Sequence, residues 1–189
     1  RLIYTSSMAA VSSSKPVPDG YEWTETDWAS DDVDPDEWEA YAYGRSKVDT
    51  EHLVREAAKA SAQWDVISMN PAMICGPILF KAQVGQWIEQ IGRLAAGEEP
   101  NFPDRYDRYY NIIDVRDLVK AHRLAAESSV DHQGSHGGPR YIMHGTGGRS
   151  AMRFGTEVAD MIKQLFPNFG IGEPATVTSK GDPIMIENK

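Results

Sequence analysis

Tyr43 and Lys47 are the residues in this sequence whose types and spacing best suit acid–base chemistry. On an α-helix, residues four positions apart project from the same face, so the lysine ammonium can lie beside the tyrosine phenol. A free tyrosine titrates near pH ~10, and a nearby cation favours the phenolate. Moving that pKa by about 3 units requires about 4 kcal/mol of differential stabilisation. The same spacing also occurs by chance on solvated helix faces, so the flanking sequence must distinguish the two interpretations.

A predicted helix carries both residues. Asp34 and Pro35 are typical of a helix N-terminus, because aspartate can cap the first amide groups and proline suits the first helical position. The helix is expected to run to about Lys59. Tyr43 and Lys47 would then lie inside regular structure.

Predicted strands flank this helix in the sequence. Residues 1–5 and 64–69 are short apolar runs of the kind that form buried strands. Ser6 and Ser7 follow the first run, and the second leads into residues 70–77, where proline and glycine are expected to end the strand and form a loop. Ligands of open α/β sheets bind beyond the carboxyl ends of the strands, so these polar strand ends are the expected site.

The rest of the chain continues the alternation of strands and helices. The further elements expected are a helix from Val84 to Leu94 that ends at Gly97, a strand at Tyr110–Ile113, a helix capped by Asp114, a strand at Arg140–His144 and a helix carrying Phe154 to Leu165. This alternation predicts an α/β fold with a parallel sheet covered on both faces. Neither a Gly-x-Gly-x-x-Gly motif nor a Walker-type phosphate loop is present in the sequence, and the glycine-rich residues 145–148 are interpreted as a turn.

Composition indicates a globular protein, with 41% hydrophobic and 25% charged residues and no apolar run of about 18 residues that would span a membrane. The net charge of −9 is concentrated in residues 19–39, which hold ten acidic side chains and no lysine or arginine. The remainder is almost neutral, which argues against a nucleic-acid-binding surface. The acidic run is interpreted as a solvated loop, with a lid over a site as the alternative. Its tryptophans, Trp23, Trp28 and Trp38, either line a pocket or anchor the loop.

Other reactive residue types have simpler interpretations. Cys75 is the single cysteine of the sequence, which excludes an internal disulfide, and it is expected to be a small buried filler rather than a nucleophile. His122 is predicted on the inner face of a helix, where a hydrogen-bonded structural role is favoured. The histidines at 132, 136 and 144 show no recurrent ligand spacing, so no metal site is predicted.

Short motifs follow one another in a specific order along residues 1–166. They are Thr5-Ser6-Ser7-Met8-Ala9-Ala10-Val11, Glu25-Thr26-Asp27-Trp28, Tyr43-Gly44-Arg45-Ser46-Lys47 with Glu51, Asn70-Pro71 to Gly76-Pro77, and Asp114-Val115-Arg116-Asp117 with Ala121-His122. Their joint order and spacing resemble the extended short-chain dehydrogenase/reductase family, within the NAD-dependent epimerase/dehydratase superfamily. The sequence is most similar to the branch of dihydroflavonol reductases, cinnamoyl-CoA reductases and fungal aldehyde/ketone reductases. Val11-Ser12 and residues 72–77 depart from the Tyr-Gly and Asn-Val-Tyr-Gly-Pro patterns usual in nucleotide-sugar epimerases and dehydratases.

Carried over residue by residue, the resemblance implies a carbonyl-reducing site. Tyr43 would donate a proton to the carbonyl oxygen, and Lys47 would depress the pKa of that phenol and hydrogen-bond the nicotinamide ribose. Ser7 would hydrogen-bond the substrate oxygen, with Ser6 as the alternative catalytic hydroxyl and a candidate cofactor contact. The loop that packs on the nicotinamide through main-chain groups would comprise Pro71, Ala72 and Met73.

The resemblance also implies a nicotinamide cofactor, NADP slightly favoured over NAD, and a small-molecule carbonyl or alcohol substrate. Residues 1–189 are interpreted as the C-terminal part of a doubly wound Rossmann-type parallel sheet. Residues 1–78 would form a catalytic strand–helix–strand unit, and residues 79–189 the remaining sheet and a small substrate-binding region. The glycine-rich cofactor-binding half of the family would lie upstream, so this chain alone is expected to bind cofactor poorly.

Two alternatives remain open. One is a nucleotide-sugar epimerase or dehydratase on the same scaffold, and the other is a noncatalytic binding module or a remnant that lacks the cofactor half. A cytoplasmic location is expected, without a nucleic-acid, membrane or metal partner, and a homodimer is compatible with the resemblance.

Overall fold

A computed structural model of the chain describes residues 1–12, 21–31, 41–61, 63–95, 109–129, 138–145, 152–168 and 185–186. The chain divides into two compact units. The first comprises Arg1–Ala72, Arg116–His144 and Met185–Lys189, and the second comprises Met73–Val115 and Gly145–Ile184. The predicted division between residues 78 and 79 stays a prediction. Among the described residues, no helix combines the length and the hydrophobicity needed to cross a bilayer.

Strands and helices alternate along much of the described chain. In chain order the elements are β1 (Leu2–Thr5), β2 (Glu22–Trp23), α1 (Ala42–Ala60), β3 (Val66–Pro71), β4 (Met73–Cys75), α2 (Gln86–Ala95), β5 (Tyr109–Asp114), α3 (Val115–Glu127), β6 (Arg140–Met143), β7 (Met152–Phe154), α4 (Gly155–Leu165) and β8 (Met185–Ile186). Short 3₁₀ helices occupy Met8–Ala10 and Lys81–Gln83.

The first unit is built around a parallel sheet with the strand order β1-β3-β6. All six residues of the central strand β3 are buried, as is usual for a parallel strand covered on both faces. Ile67 and Met69 of this strand pack with Ala125 of α3, and Ile3 and Met143 complete the cluster. The α/β class predicted from the sequence is confirmed.

The helix that carries Tyr43 and Lys47 begins at Ala42, with Tyr41 as its N-cap. The prediction of one unbroken helix through this point is therefore wrong at Tyr41, whose backbone is not helical, and the predicted N-terminus at Asp34 and Pro35 lies outside the described residues. The Tyr41 side chain packs directly on Gly44, and a β-carbon at position 44 would collide with its ring. The N-terminus of α1 is therefore packed by the Tyr41 ring, and the Tyr41 side chain makes no capping hydrogen bond to the first turn.

The predicted loop at residues 70–77 is wrong over most of its length. β3 continues through Asn70 and Pro71, and Met73–Cys75 form β4. Pro71 has no amide hydrogen, but it is the last residue of its strand, and the amide of Ala72 donates to the Met143 carbonyl oxygen (2.9 Å). The ladder therefore needs no donor at Pro71.

The second unit contains β4, β5 and β7, and β7 runs antiparallel to β5. Phe154 lies in β7, so the predicted helix that carries it is wrong at its start, and α4 begins one residue later. Pairing with β5 gives this segment main-chain partners that a helical turn would otherwise supply. Val158 and Ile162 lie in α4 as predicted and share a core with Ile91 and Ile112.

Gly138, just before β6, is expected to tolerate no side chain. Its φ is +98°, and a β-carbon would meet the main-chain carbonyl oxygen of Val66. The G138A variant is expected to lose at least about 1–3 kcal/mol of unfolding free energy, the usual cost of such backbone strain. Gly92, within α2, is the matched control, because a β-carbon at that position would have no described atom within 4 Å. Urea unfolding should show G92A unchanged or stabilised by about 0.5–1 kcal/mol; an equal loss at both positions would contradict the assignment.

Candidate active site

Ser7 lies at the carboxyl end of β1, where the chain turns into the 3₁₀ helix Met8–Ala10. Its backbone is extended, and its hydroxyl accepts a hydrogen bond from the Ala9 amide (3.1 Å), so it acts as the N-cap of that helix. Ser7 is half-buried. A hydroxyl oxygen that accepts one local bond still has its own hydrogen to donate to an oxygen of a bound molecule.

Tyr43 and Lys47 lie on consecutive turns of α1, as the sequence predicted. The Lys47 Nζ is 5.7 Å from the centroid of the Tyr43 ring, which is within the range of a cation–π contact. Tyr43 is 59% exposed, so its phenol is accessible to a bound molecule. The structure thus places the ammonium near the tyrosine ring, while the catalytic role of the pair stays a prediction.

Two further tyrosines lie close enough to interact electrostatically with Tyr43. Burial raises the pKa of Tyr4, and Glu51 and Tyr43 add to that effect against a hydrogen bond with Thr50 that lowers it. Burial also raises the pKa of Tyr41, again with a contribution from Tyr43. Both phenols therefore stay neutral well above physiological pH.

A buried hydrogen-bonded network lies directly behind Ser7. Glu51 of α1 is fully buried, and its Oε2 accepts from the Ser6 hydroxyl (2.7 Å) and the Asn70 Nδ2 (2.9 Å). Its Oε1 accepts from the Nε of Arg140 (2.7 Å). The Asn70 Nδ2 also donates to the main-chain oxygen of Ser7 (3.2 Å). The Ser6 hydroxyl thus has a structural partner, and its proposed contact with a cofactor stays a prediction.

Arg140 also holds the described part of the acidic segment, residues 21–31. Its Nη1 donates to the carbonyl oxygens of Glu25 (2.8 Å) and Asp27 (2.7 Å). Its guanidinium lies 3.7 Å above the Trp28 ring, and His52 stacks on the same indole with a centroid distance of 3.8 Å.

The tryptophans of this segment anchor it. Trp28 contacts both the Arg140 guanidinium and the His52 ring. Trp23 is 1% exposed and packs with Val11 and Ile142. Of the two interpretations left open by the sequence, anchoring therefore holds for these two residues. Trp38 lies outside the described residues.

Of the three residues predicted to pack on a nicotinamide, Pro71 and Met73 lie in strands, and Ala72 is the single residue between those strands. Pro71 ends β3 in register with Met143, and the Ala72 amide is already bonded to that residue. The Ala72 group available for a hydrogen bond to a bound cofactor would therefore be its carbonyl oxygen. Met73 begins β4 in the second unit, where it packs against Val158. Their role in cofactor binding stays a prediction.

The remaining reactive residues have structural surroundings. The Nδ1 of His122 lies 2.8 Å from the Leu118 carbonyl oxygen, so this nitrogen carries the proton, and Nε2 pairs with the Thr5 hydroxyl (2.8 Å). Burial raises the pKa of the Cys75 thiol, with a further contribution from Asp114, which makes it a poor nucleophile at neutral pH. His132 and His136 lie outside the described residues.

Two members of the buried network carried little signal in the sequence. Asn70 stands between an apolar run and a proline. This position predicts the end of a strand, but it gives no sign that the side chain binds a carboxylate. Arg140 follows a glycine-rich stretch, 89 residues after Glu51 in the chain. Hydrophobic periodicity does not connect residues this far apart, so the pairing becomes visible only in the fold.

Comparison with known proteins places this arrangement in context. Residues 1–136 match the model of the NAD dependent epimerase/dehydratase family. No curated protein matches the chain.

Solved structures share the fold across almost the whole chain. Yeast methylglyoxal/isovaleraldehyde reductase complexed with NADPH is 22% identical, with a TM-score of 0.70 over 100% of this chain and 55% of that one. Gre2 from Candida albicans, also complexed with NADPH, is 21% identical, with a TM-score of 0.67 over 93% of this chain and 51% of that one. UDP-glucose 4-epimerase from Thermotoga maritima is 19% identical, with a TM-score of 0.64 over 98% of this chain and 53% of that one. The chain thus spans about half the length of these proteins, and the likeness shows a Rossmann-type fold.

Proposed function

The chain belongs to the NAD dependent epimerase/dehydratase family, and from this premise we propose that it forms the proton-donating part of an NAD(P)-dependent carbonyl reductase. The full-length protein would reduce a small aldehyde or ketone to an alcohol. The observation that carries this proposal is the pair formed by Tyr43, accessible to solvent, and the Lys47 ammonium 5.7 Å from the ring centroid. Ser7 at the end of β1 adds a second hydroxyl.

The residues present fit a nicotinamide cofactor in their chemistry. Lys47 offers an ammonium with three donors, which suits the hydroxyls of a ribose, and the Tyr43 hydroxyl can share the same groups. The carbonyl oxygens at the end of β3 suit the amide donors of a carboxamide, for which Pro71, Ala72 and Met73 are the candidates. When bound, the cofactor supplies the hydride, in the form of NADPH or NADH.

The chain's own residues would then manage the proton and the developing charge. The Ser7 hydroxyl donates a hydrogen bond to the carbonyl oxygen and stabilises the negative charge that grows on it. The Tyr43 phenol transfers its proton to that oxygen, which completes the alcohol and leaves a phenolate. The Lys47 ammonium stabilises this phenolate. In the reverse direction the phenolate accepts the alcohol proton.

An epimerase or dehydratase acting on a nucleotide sugar is the second candidate. The epimerase from Thermotoga maritima matches the fold almost as well as the reductases do. The sequence favours a reductase, because Val11-Ser12 and residues 72–77 depart from the patterns usual in sugar-modifying members. The two activities differ in their use of cofactor, since an epimerase oxidises its substrate transiently and consumes no NADPH overall.

The test is an absorbance assay on the full-length protein. NADPH and NADH would be offered with a panel of aldehydes and ketones, and nucleotide sugars would be followed separately by product analysis. Carbonyl-dependent loss of nicotinamide absorbance supports the proposal. Conversion of a nucleotide sugar without net cofactor consumption would replace it with the second candidate, and stable cofactor binding without either reaction would leave the noncatalytic alternative.

A further inference from the structure

Glu51 is a buried carboxylate that lies on the helix of the proposed proton donor but has no place in the chemistry derived above. It is fully buried, and three donors satisfy it: Ser6 directly after β1, Asn70 of β3 and Arg140 of β6. Taking a carboxylate out of water carries a large desolvation cost, so a buried ion pair contributes little net stability compared with apolar residues in its place. The hydrogen bonds of Glu51 instead support a role in fixing α1 relative to the strands of the sheet.

The geometry links this carboxylate to both halves of the proposed site. Glu51 follows Lys47 by four residues and Tyr43 by eight, so all three lie on one face of α1 on successive turns. At its other end the carboxylate accepts from Ser6, whose neighbour is Ser7. Asn70 makes a second link, because its Nδ2 bonds both Glu51 and the main-chain oxygen of Ser7.

We propose that Glu51 is a positioning residue that holds α1 in register with the end of β1, so that Tyr43 and Ser7 approach the same substrate oxygen. This inference rests on the proposed reductase function. Glu51 acts through its hydrogen bonds and does not touch the reactants. A displacement of about 1 Å at such a site can cost about 10²-fold in rate.

The E51D variant of the full-length protein tests this directly. It keeps the charge but shortens the side chain by one carbon–carbon bond, about 1.5 Å, so it separates position from electrostatics. The expected result is a fall in kcat of about tenfold to a hundredfold, counted per nucleotide-binding site, with the Kd for NADPH within about twofold of the wild-type value. The solvent deuterium isotope effect on kcat should rise, because a misaligned proton transfer becomes slower. A loss of folded protein alone would neither lower kcat per binding site nor alter the isotope effect.

The S6A variant keeps the proposal testable if E51D fails to fold. It removes the hydrogen bond from the residue after β1 to the carboxylate and leaves the Glu51–Arg140 pair intact. A smaller fall in kcat per site, with the same rise in the isotope effect, is expected. E56Q is the control, because Glu56 lies on the same helix in an exposed pair with Lys59 and should behave as wild type.

The outcomes separate this proposal from the function on which it rests. Wild-type kcat per site and an unchanged isotope effect in a folded E51D, or in S6A, would overturn the positioning role. Absence of carbonyl reduction by the wild-type protein, or full activity of the Y43F variant, would instead overturn the proposed function.

Discussion

Replacing Tyr43 with phenylalanine in the full-length protein is expected to lower kcat for carbonyl reduction by about 10²- to 10⁴-fold. The change removes one oxygen and leaves the aromatic ring, so the contact with Lys47 and the packing of α1 are retained. Tyr43 is exposed, so its hydroxyl contributes little to folding. The loss should therefore appear mainly in the chemical step, while the Kd for NADPH rises by no more than about tenfold, the effect of one lost hydrogen bond to the ribose. Steady-state kinetics and nucleotide titration measure the two quantities separately.

Tyr141 provides the matched control for this substitution. It lies on β6 with 42% of its surface exposed, and it takes no part in the proposed site. The Y141F variant makes the same chemical change and should retain wild-type kcat and Kd. Unchanged turnover in Y43F, or an equal loss in both variants, would refute the assignment of Tyr43 as proton donor.

The second large effect is expected on stability, at Arg140. Replacing it with methionine preserves much of the volume of the side chain but leaves the fully buried Glu51 carboxylate without its cation. Removing one partner of a buried ion pair typically costs about 3–5 kcal/mol, because the remaining charge stays buried and uncompensated. The same change removes the donors to the carbonyl oxygens of Glu25 and Asp27. Urea unfolding should therefore show a lower unfolding free energy in R140M.

Arg123 is the control, since it also pairs with a glutamate but on the surface. Its Nε lies 4.0 Å from the Glu127 carboxylate, and both side chains are more than 60% exposed. The R123M variant should lose no more than about 1 kcal/mol, as is usual for exposed pairs. If R140M were no less stable than R123M, the buried Glu51 carboxylate would not depend on Arg140 for charge compensation.

The parts of the fold that depend on local pattern were predictable from the sequence. The strand at residues 2–5, the buried strand β3 and the placement of Tyr43 and Lys47 on one helix all follow from hydrophobic spacing and helix periodicity. The placement of Val158 and Ile162 on the buried face of a helix was predicted correctly for the same reason. The sequence signal for these features lies in the spacing of residues close in the chain.

The errors arose where long-range pairing decided the structure. Residues 70–77 contain two prolines and a glycine, which locally favour a loop, yet pairing with β5 and β6 extends the strands through Pro71 and Cys75. Phe154 fits a helical pattern, but pairing with Tyr109 places it in β7. The helix start at Ala42 is set by the Tyr41 ring on Gly44, a contact for which capping rules give no signal.

The candidate site shows the same division. The phenol–ammonium spacing and the serines after β1 were visible in the sequence because they lie within short motifs. The buried hydrogen-bonded network behind these groups was not visible in the sequence, because Glu51 contacts Asn70 and Arg140 only after three strands are assembled side by side. Motifs thus identified the groups that could react, and the fold identified the groups that hold them.

The stack of Arg140, Trp28 and His52 has a use beyond anchoring residues 21–31. Both neighbours lie within 4 Å of the indole centroid, so they must occupy opposite faces of the ring. The fluorescence of an indole responds to nearby charge, so Trp28 would act as an optical reporter in a variant whose other four tryptophans are replaced by phenylalanine. Emission from such a variant would change if residues 21–31 lost their contacts with Arg140 and His52, so the unfolding of this segment could be timed without an attached dye.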